Sequence, residues 1–400
     1  MSYLKSRPIR MIFLAQLLIC ASNYVIVPFL AVYLTQALSF SLTFVGTQVA
    51  IKLVSQRGFM IFGGMLTDTV GPKKAIFLTL ALRIVAILLF FYSSSAALIS
   101  IASLLLGVST AIFVPASKVM FTTISTSVDR VKVFSLRSMV NNIGIGVGSL
   151  IGSALINSSI SFLVLINVSL AIFSLLLIEL FYYSKPVQTA SNKENRNGYN
   201  SILNNFKSLL SAQNLLLIVF LSIGSNAVYV QIESIIPLYL NEAFDEKVIG
   251  YFFAINSLVI IFLQLPLNSY ISSRAMPFSV IALGFLTYFI GMLGFAYSNH
   301  IFILLIFAAI YTLGEIFIDP YLDTLVSNSA PDDLVGTAFG LTGFGGVIGG
   351  LIGSIGSTWV LTWIGYSEYW IISGLFALAF AASSTVCRLT QSNRRFANEQ

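Results

Sequence analysis

The sequence predicts an all-α membrane protein, and three observations lead to this fold class. Hydrophobic residues make up 57% of the 400-residue chain and charged residues only 9%, with a mean hydropathy of +0.92. A water-soluble domain of this composition would expose far too much apolar surface. Apolar stretches long enough to cross a hydrocarbon core of about 30 Å as helices recur along the chain, and basic residues are divided unequally between the intervening loops. Lipid is therefore the solvent for most of this chain.

The apolar stretches predict twelve transmembrane helices, which we call spans one to twelve. Their predicted bounds, in order, are residues 11–36, 43–66, 74–92, 97–121, 136–157, 161–183, 213–240, 247–271, 275–297, 300–327, 334–357 and 367–387.

The N-terminus resembles a secretory or lipoprotein signal, because Lys5 and Arg10 precede an apolar run. The run continues to Leu34, however, and Ile19 before Cys20 is a poor small-residue cleavage site. We therefore predict an uncleaved first span.

The basic residues indicate the topology. Lys73, Lys74, Arg130 and Lys132 lie in loops on one side of the predicted spans, whereas the loops on the other side keep Lys247. This positive-inside bias predicts a multi-pass protein of the cytoplasmic (inner) membrane with both termini in the cytoplasm. The net charge of +6 then reflects topology, and binding to nucleic acid is not expected.

The two halves of the chain are similar in sequence. At an offset of 205 residues, Gly144 corresponds to Gly349 and Gly148 to Gly353. Between the halves, residues 184–212 are polar, except for a stretch that suits either a short helix on the inner membrane face or an early start of span seven. Duplicated six-helix halves are typical of transporters, since a site between two rocking halves can open to either side in turn. We predict an N-terminal bundle over 1–183, a cytoplasmic linker over 184–212, a C-terminal bundle over 213–388 and a cytoplasmic tail over 389–400.

The segment between spans two and three resembles the signature loop of the major facilitator superfamily. It reads Gly64-Met-Leu-Thr-Asp68-Thr-Val-Gly71-Pro-Lys73-Lys74. The glycines, the aspartate and the terminal lysines are in place, whereas Thr69 and Pro72 stand where the family usually has arginines.

Span five is similar to the glycine-rich antiporter motif of the superfamily's drug:proton exporters. It reads Gly144-Ile-Gly-Val-Gly148-Ser149-Leu-Ile-Gly152-Ser153. Ser149 replaces the expected proline. Glycines four residues apart share a helix face and allow close helix approach, so simple packing remains an open alternative.

Three further segments bear on the resemblance, which covers essentially the full chain. Spans seven and ten, around Gln231 and Glu315, look like those of multidrug exporters, but Ser103 in span four occupies a position where drug:proton antiporters often carry arginine. The resemblance implies twelve helices in two pseudo-symmetric six-helix bundles with a central cavity between them. It also implies a proton gradient as the energy source and no cofactor. No metal site is expected, because the sequence has no metal-ligand cluster.

Charged residues within the spans are candidate functional residues, because each costs about 2.5 to 3.5 kcal/mol at mid-bilayer on insertion scales. Lys52 in span two is flanked at helical spacing by Gln48 and Gln56, so this face must point away from lipid. Arg83 lies near the middle of span three. It either contacts substrate or acts as a structural cation bonded to backbone carbonyls.

The deep carboxylates lie in the C-terminal half, where Glu315 and Asp319 share one face of span ten. We expect Glu315 to bind and release a proton as it meets water and a cation in turn. Lys52 and Glu233 both lie toward the outer side, and we expect them to approach across the cleft between the halves. Alternatively, Lys52 extends outward and Glu233 binds water.

Other polar and aromatic residues of the spans are expected to line the cavity. They are Asn23, Tyr24, Tyr33, Gln48, Gln56, Asn141, Asn226, Tyr229, Gln231 and Tyr311.

These features predict a secondary active transporter that exports drugs or other amphipathic compounds in exchange for protons. Dedicated export of a polar metabolite, such as a carboxylate siderophore, is an alternative because Lys52 and Arg83 suit an anion. Nutrient uptake and lipid scrambling are further alternatives. An enzyme is not expected, since the sequence has no nucleotide-binding glycine loop and no Ser-His-Asp set. The expected partners are a small-molecule substrate and the lipid bilayer, and the expected functional unit is a monomer.

Overall fold

The computed structural model describes residues 6–26, 34, 38–127, 129–155, 160–182, 213–232, 234–244, 246–361 and 363–398. Tyr33, Glu233 and the predicted linker over 184–212 lie outside the described residues, so the predictions for them stay predictions.

Every regular element in the described part of the chain is helical. In the first half the helices are α1 (Arg7–Ile26), α2 (Leu42–Gly58), α3 (Met60–Val70), α4 (Pro72–Tyr92), α5 (Ala96–Thr123), α6 (Arg130–Leu155) and α7 (Ile160–Phe181). In the second half they are α8 (Gln213–Tyr229), a 3₁₀ turn (Val230–Ile232), α9 (Ile235–Ala243), α10 (Glu246–Ile271), α11 (Pro277–Tyr297), α12 (Ile301–Ser329), α13 (Val335–Leu351), a π-helical turn (Ile352–Gly356), α14 (Ser357–Leu361) and α15 (Tyr366–Asn398).

Ten of the described helices or helix runs are long and apolar enough to cross a membrane, and a bent pair makes up to eleven. In this pair, Thr47–Gly58 and Met60–Val70 meet at an angle of 50°. Helix α6, which contains most of predicted span five, is not among the candidates. Predicted span five continues to residue 157, which is beyond the described part of this helix. The structure therefore supports a multi-pass membrane protein, and the count of twelve spans stays a prediction.

The surface of these helices has the character that a bilayer requires. Large apolar side chains such as Val54, Leu150, Leu180 and Phe302 are each at least 67% exposed. Such residues would be costly on a water-facing surface, whereas hydrocarbon solvates them without cost. The exposed apolar surface confirms the prediction that lipid surrounds these helices.

The turn between α3 and α4 depends on local sequence. Gly71 has φ 84°, a conformation that glycine adopts without the steric cost that a Cβ would bring. Pro72 follows at the first position of α4, where its fixed φ suits a helix start and its missing N–H is not needed. The glycine and proline of the predicted signature loop thus end one helix and begin the next.

The described helices form two compact units. The first consists of Met1–Thr126, Val140–Leu209 and Ala330–Leu341, and the second of Ser127–Met139, Leu210–Ser329 and Thr342–Gln400. Each unit therefore holds most of one half of the chain together with a short segment from the other half. The predicted division into bundles over 1–183 and 213–388 follows the sequence repeat, and it stays a prediction.

The repeated glycines have equivalent surroundings within their own units. A Cβ on Gly148 of α6 would meet the carbonyl oxygen of Ala21 in α1, and a Cβ on Gly353 would meet the carbonyl oxygen of Ala227 in α8. Gly144 likewise packs against Cys20. In both halves these glycines bring two helix backbones into direct contact, as the packing interpretation of the motif requires.

Candidate functional site

A polar network lies inside the first unit, between α1, α5 and α6. Asn141 Oδ1 accepts hydrogen bonds from Gln16 Nε2 at 2.8 Å and from Cys20 Sγ at 3.2 Å. Gln16 Oε1 accepts one from Ser117 Oγ at 2.9 Å. Gln16 and Ser117 are fully buried, and Asn141 is half-buried. Buried amides need such partners, because an unsatisfied polar group is costly away from water.

Arg83 of α4 lies close to this network. Its side chain is 2% exposed, and Cys20 and Tyr24 of α1 lie within electrostatic range of it. The guanidinium carbon is 5.7 Å from the centre of the Phe113 ring, a cation–π distance. The Nε atom has no hydrogen-bond partner among the described residues. A buried arginine with an unsatisfied donor is the feature of this unit that most favours an anionic ligand.

The polar face of α2 packs partly against α5. Gln48 is buried, donates from Nε2 to Ser100 Oγ at 3.2 Å, and accepts from Ser103 Oγ at 3.0 Å. Lys52 and Gln56 are half-buried one and two turns further along. Ser103, which stands where an arginine is frequent in drug:proton antiporters, therefore serves to anchor Gln48.

The second unit holds the carboxylate cluster of α12. Glu315 is 8% exposed, and its Oε2 lies 3.5 Å from the amide nitrogen of Asn256 in α10. The same amide donates to Thr312 Oγ1 at 3.1 Å. Asp319, one turn along the helix, is exposed. The structure thus brings one predicted carboxylate into the interior, beside a neutral amide, and leaves the other on the surface of the unit.

The aromatic and amide residues predicted near this cluster have different surroundings. Tyr311 is fully buried, and its hydroxyl donates to the carbonyl of Val228 at 2.8 Å. Tyr229 is 36% exposed. Asn226 is half-buried and donates to the carbonyl of Ser222 at 2.9 Å. Tyr311 therefore joins α12 to α8, while Tyr229 keeps an accessible ring.

Three other predicted cavity residues can be placed. Asn23 and Tyr24 of α1 are half-buried, and Gln231 is 4% exposed, with its amide nitrogen 3.2 Å from the carbonyl of Ala227.

The predicted signature loop is a structural contact of the first unit. Asp68 accepts hydrogen bonds from Gly336 N, Thr337 N and Thr337 Oγ1, each at 2.6 Å. These donors belong to the first turn of α13, where N–H groups have no partner within the helix and a negative charge is favoured. Gly64 packs directly on the backbone of Gly336. Asp68 thereby caps a helix that follows it by more than half the chain.

The lysines of the loop differ from each other. Lys73 forms an ion pair with Glu179 of α7 at 2.8 Å, with side chains 28% and 56% exposed. Lys74 is exposed.

The third motif glycine of span five, Gly152, is buried.

Sequence reasoning missed a polar stripe on α10. Asn256, Gln264 and Asn268 are all at most 9% exposed. Asn268 donates to Ser135 Oγ and to the carbonyl of Ile316, both at 2.9 Å. The spacing of four and eight residues within an apolar span was the available signal, because it places the three amides on one face. Gln16 was missed as well, although it lies one turn before Cys20.

In the part of the chain that the structure describes, apolar helices long enough to span a membrane enclose buried polar clusters. This arrangement is that of a multi-pass membrane protein with polar sites among its spanning helices. The sequence model of the Major Facilitator Superfamily matches residues 12–354 and 234–395. The chain belongs to this superfamily of transporters.

Similar proteins are found along nearly the full length. The chain is 24% identical over 368 residues to an uncharacterized MFS-type transporter, YhjO, of Bacillus subtilis strain 168, covering 90% of this chain and 89% of that protein. It is 25% identical over 388 residues to a Na⁺, Li⁺, K⁺/H⁺ antiporter of Planococcus maritimus, covering 89% and 90%. It is 21% identical over 345 residues to the multidrug resistance protein MdtH of Baumannia cicadellinicola, covering 86% and 82%.

Solved structures agree with the fold. The transporter FucP in its outward conformation superposes with a TM-score of 0.79 at 15% identity, covering 96% of this chain and 99% of that one. At this identity the likeness shows the fold alone. These named relatives are membrane transporters, and the prediction of a major facilitator protein resembling multidrug exporters is confirmed.

Proposed function

We propose that this chain is a secondary active exporter of the cytoplasmic membrane that moves amphipathic compounds outward in exchange for protons, with both termini in the cytoplasm. The observation that carries the proposal is Glu315, a carboxyl group buried in a long apolar helix beside a neutral amide. A side chain this costly in a membrane interior is a functional candidate by default. The multidrug and cation/proton antiporters among the similar proteins support the same function.

The proposed coupling follows from the chemistry of a carboxyl group. Apolar surroundings favour its protonated form, and water or a cation favours its ionised form. A carboxyl that meets the two environments in turn carries a proton across. Each proton that moves down a potential of 100 mV releases about 2.3 kcal/mol, which is enough for modest uphill export.

The test is transport in proteoliposomes with and without an imposed pH gradient. Glu315→Gln is expected to retain binding of an amphipathic cation and downhill exchange, and to lose the stimulation by the gradient. Glu368→Gln, which changes an exposed glutamate at the start of α15, is the matched control and should behave like the unmodified protein. Equal gradient stimulation in all three proteins would refute the role of Glu315.

A second candidate function is export of an anionic metabolite, and Arg83 favours it. Its guanidinium is buried and one donor has no partner among the described residues, so a carboxylate of the substrate would satisfy it. Arg83→Gln should then lower transport of carboxylate compounds at least tenfold and leave cationic compounds little changed. Equal loss for both kinds of compound would assign Arg83 a structural role.

A further inference from the structure

A cavity of about 230 Å³ lies inside the second unit, apart from the Glu315 cluster. It is lined by residues of α8 and the 3₁₀ turn, of the π-helical turn with α14, and of α15. Of its lining side chains, Trp359 is 65% exposed and Ile372 is 49% exposed. Tryptophan is enriched where spanning helices meet the membrane–water interface, and this favours a cavity whose rim borders the bilayer.

The backbone that forms one wall is unusual. Gly353 and Gly356 of the π-helical turn both line the cavity, and π-turns within α-helices are rare and frequent at functional sites. Gly353 is pressed against the backbone of Ala227, whereas a Cβ on Gly356 would meet nothing within 4 Å. Gly353 therefore holds this wall against α8, and Gly356 leaves the space beside the wall open.

One polar group in the wall lacks a partner. Gln231 is 4% exposed and lines the cavity. Its amide nitrogen donates to the carbonyl of Ala227 at 3.2 Å, but its Oε1 has no hydrogen-bond partner among the described residues. A buried acceptor without a partner is costly, and an occupant that carries an O–H or N–H group would satisfy it.

Size and charge narrow the class of occupant. The cavity is smaller than the roughly 300 to 1,000 Å³ that drug-sized ligands occupy, so it suits one alkyl chain and its head rather than a bulky compound. The described lining residues include no charged side chain, and a charged head of either sign would be buried there unpaired at high cost. The rim on the bilayer side gives an alkyl chain direct access from lipid.

We propose that this cavity is a binding site for a single-chain amphipath that enters from the bilayer and whose uncharged head donates a hydrogen bond to Gln231. The inference does not depend on the direction of transport or on its coupling to protons.

Trp359 provides the readout, because the chain has only three tryptophans and this one lines the cavity. In a Trp363→Phe background, which removes an exposed neighbour and keeps the fully buried Trp370, a brominated long-chain alcohol should quench Trp359 fluorescence saturably. The methyl ether with the same alkyl chain serves as the probe without a donor. The carboxylic acid with the same alkyl chain serves as the probe with a negative charge. The alcohol should bind about fivefold more tightly than the ether, as expected for one hydrogen bond.

Two variants and one control variant locate the site. Gly356→Leu fills the cavity and should weaken alcohol binding at least tenfold, whereas Gly350→Leu, at another uncrowded glycine that does not line the cavity, should leave it unchanged. Gln231→Met keeps the shape and should remove the preference for the alcohol over the ether. Unsaturable quenching, equal effects of both leucine variants, or equal affinity for alcohol and ether in the Trp363→Phe protein would each overturn the proposal.

Competition identifies the source of the occupant. Displacement of the alcohol by a monoacylglycerol at membrane concentrations supports the site with a lipid as its occupant. Displacement only by a long-chain primary alkyl amide, which is uncharged and carries N–H donors, supports it with a foreign amphipath as its occupant. Failure of both competitors to displace the probe would overturn the assignment of ligand class.

Discussion

Helices α6 and α13 begin at corresponding positions of the sequence repeat, since Arg130 and Val335 are 205 residues apart. The start of α13 belongs to the first compact unit and the start of α6 to the second. In the first unit, a carboxylate of Asp68 caps the N-terminus of α13. In the second, Arg130 donates to the carbonyl of Ser327 at 2.9 Å and to Asn328 Oδ1, at the C-terminus of α12.

The two contacts use opposite charges on opposite helix ends, and each pairing suits the helix dipole. The neighbouring positions differ as well. Gly64 lets α3 touch the backbone of Gly336, whereas Asn268 of α10, which lies 204 residues later along the chain, bridges by its amide to Ser135. The duplication has therefore kept the places where helices begin and meet, and the two halves have acquired different chemistry at those places.

Crowding at Gly64 should have the largest effect. Gly64→Ala places a Cβ against the carbonyl of Gly336, and backbone cannot yield as a side chain can, so we expect a loss of about 3 kcal/mol in the free energy of unfolding in detergent. Gly58→Ala, where a Cβ meets nothing within 4 Å, is the control and should be neutral or slightly stabilising because alanine favours a helix. Equal thermal melting temperatures for the two variants would contradict the close contact.

Removal of the charge of Asp68 should have the second-largest effect on the free energy of unfolding. Asp68→Asn replaces one of two acceptor oxygens by a donor that faces the N–H groups of α13, and we expect a loss of about 2 kcal/mol. Asp332→Asn, at an exposed aspartate near the same helix start, should change stability little. A loss as large for Asp332→Asn would mean that general charge, rather than the cap, stabilises this segment.

The hydrogen bond between Asn268 and Ser135 in the second unit should contribute less to the free energy of unfolding. A double-mutant cycle with Asn268→Ala and Ser135→Ala should give a coupling free energy of about 1 kcal/mol, since the bond is neutral and Asn268 also donates to Ile316. Zero coupling in unfolding measurements would show that the two side chains act independently.

The surface ion pair should contribute least. Lys73→Gln is expected to cost less than about 0.5 kcal/mol, because Lys73 and Glu179 are both partly exposed. Its effect should also vanish at high salt, whereas that of Asp68→Asn should persist. A larger effect than that of Asp68→Asn would reverse the order that these contacts predict.

The sequence allowed most helices, the repeat and the candidate charges to be predicted. Apolar length identifies a span, and spacing of four residues places Glu315 and Asp319 on one face of α12. The rotation of each helix against its neighbours could not be predicted. Gln48 bonds to Ser103, and Tyr311 bonds to the backbone of α8, because several helices together decide where a polar group finds its partner.

The π-helical turn shows the same limit. Gly353 was recognised as part of the repeat, but the equivalent segment of α6 is an ordinary α-helix through Leu155. The wider turn and the cavity beside Gln231 occur in the second unit, and the sequence repeat by itself predicted neither.

Proton movement itself tests the central proposal most directly. The purified protein is reconstituted in liposomes that contain a pH-sensitive dye, and an amphipathic cation is added to drive exchange. Exchange for protons predicts a change in luminal pH that depends on the cation and is absent with Glu315→Gln. Transport of the cation without any accompanying proton movement would contradict the account.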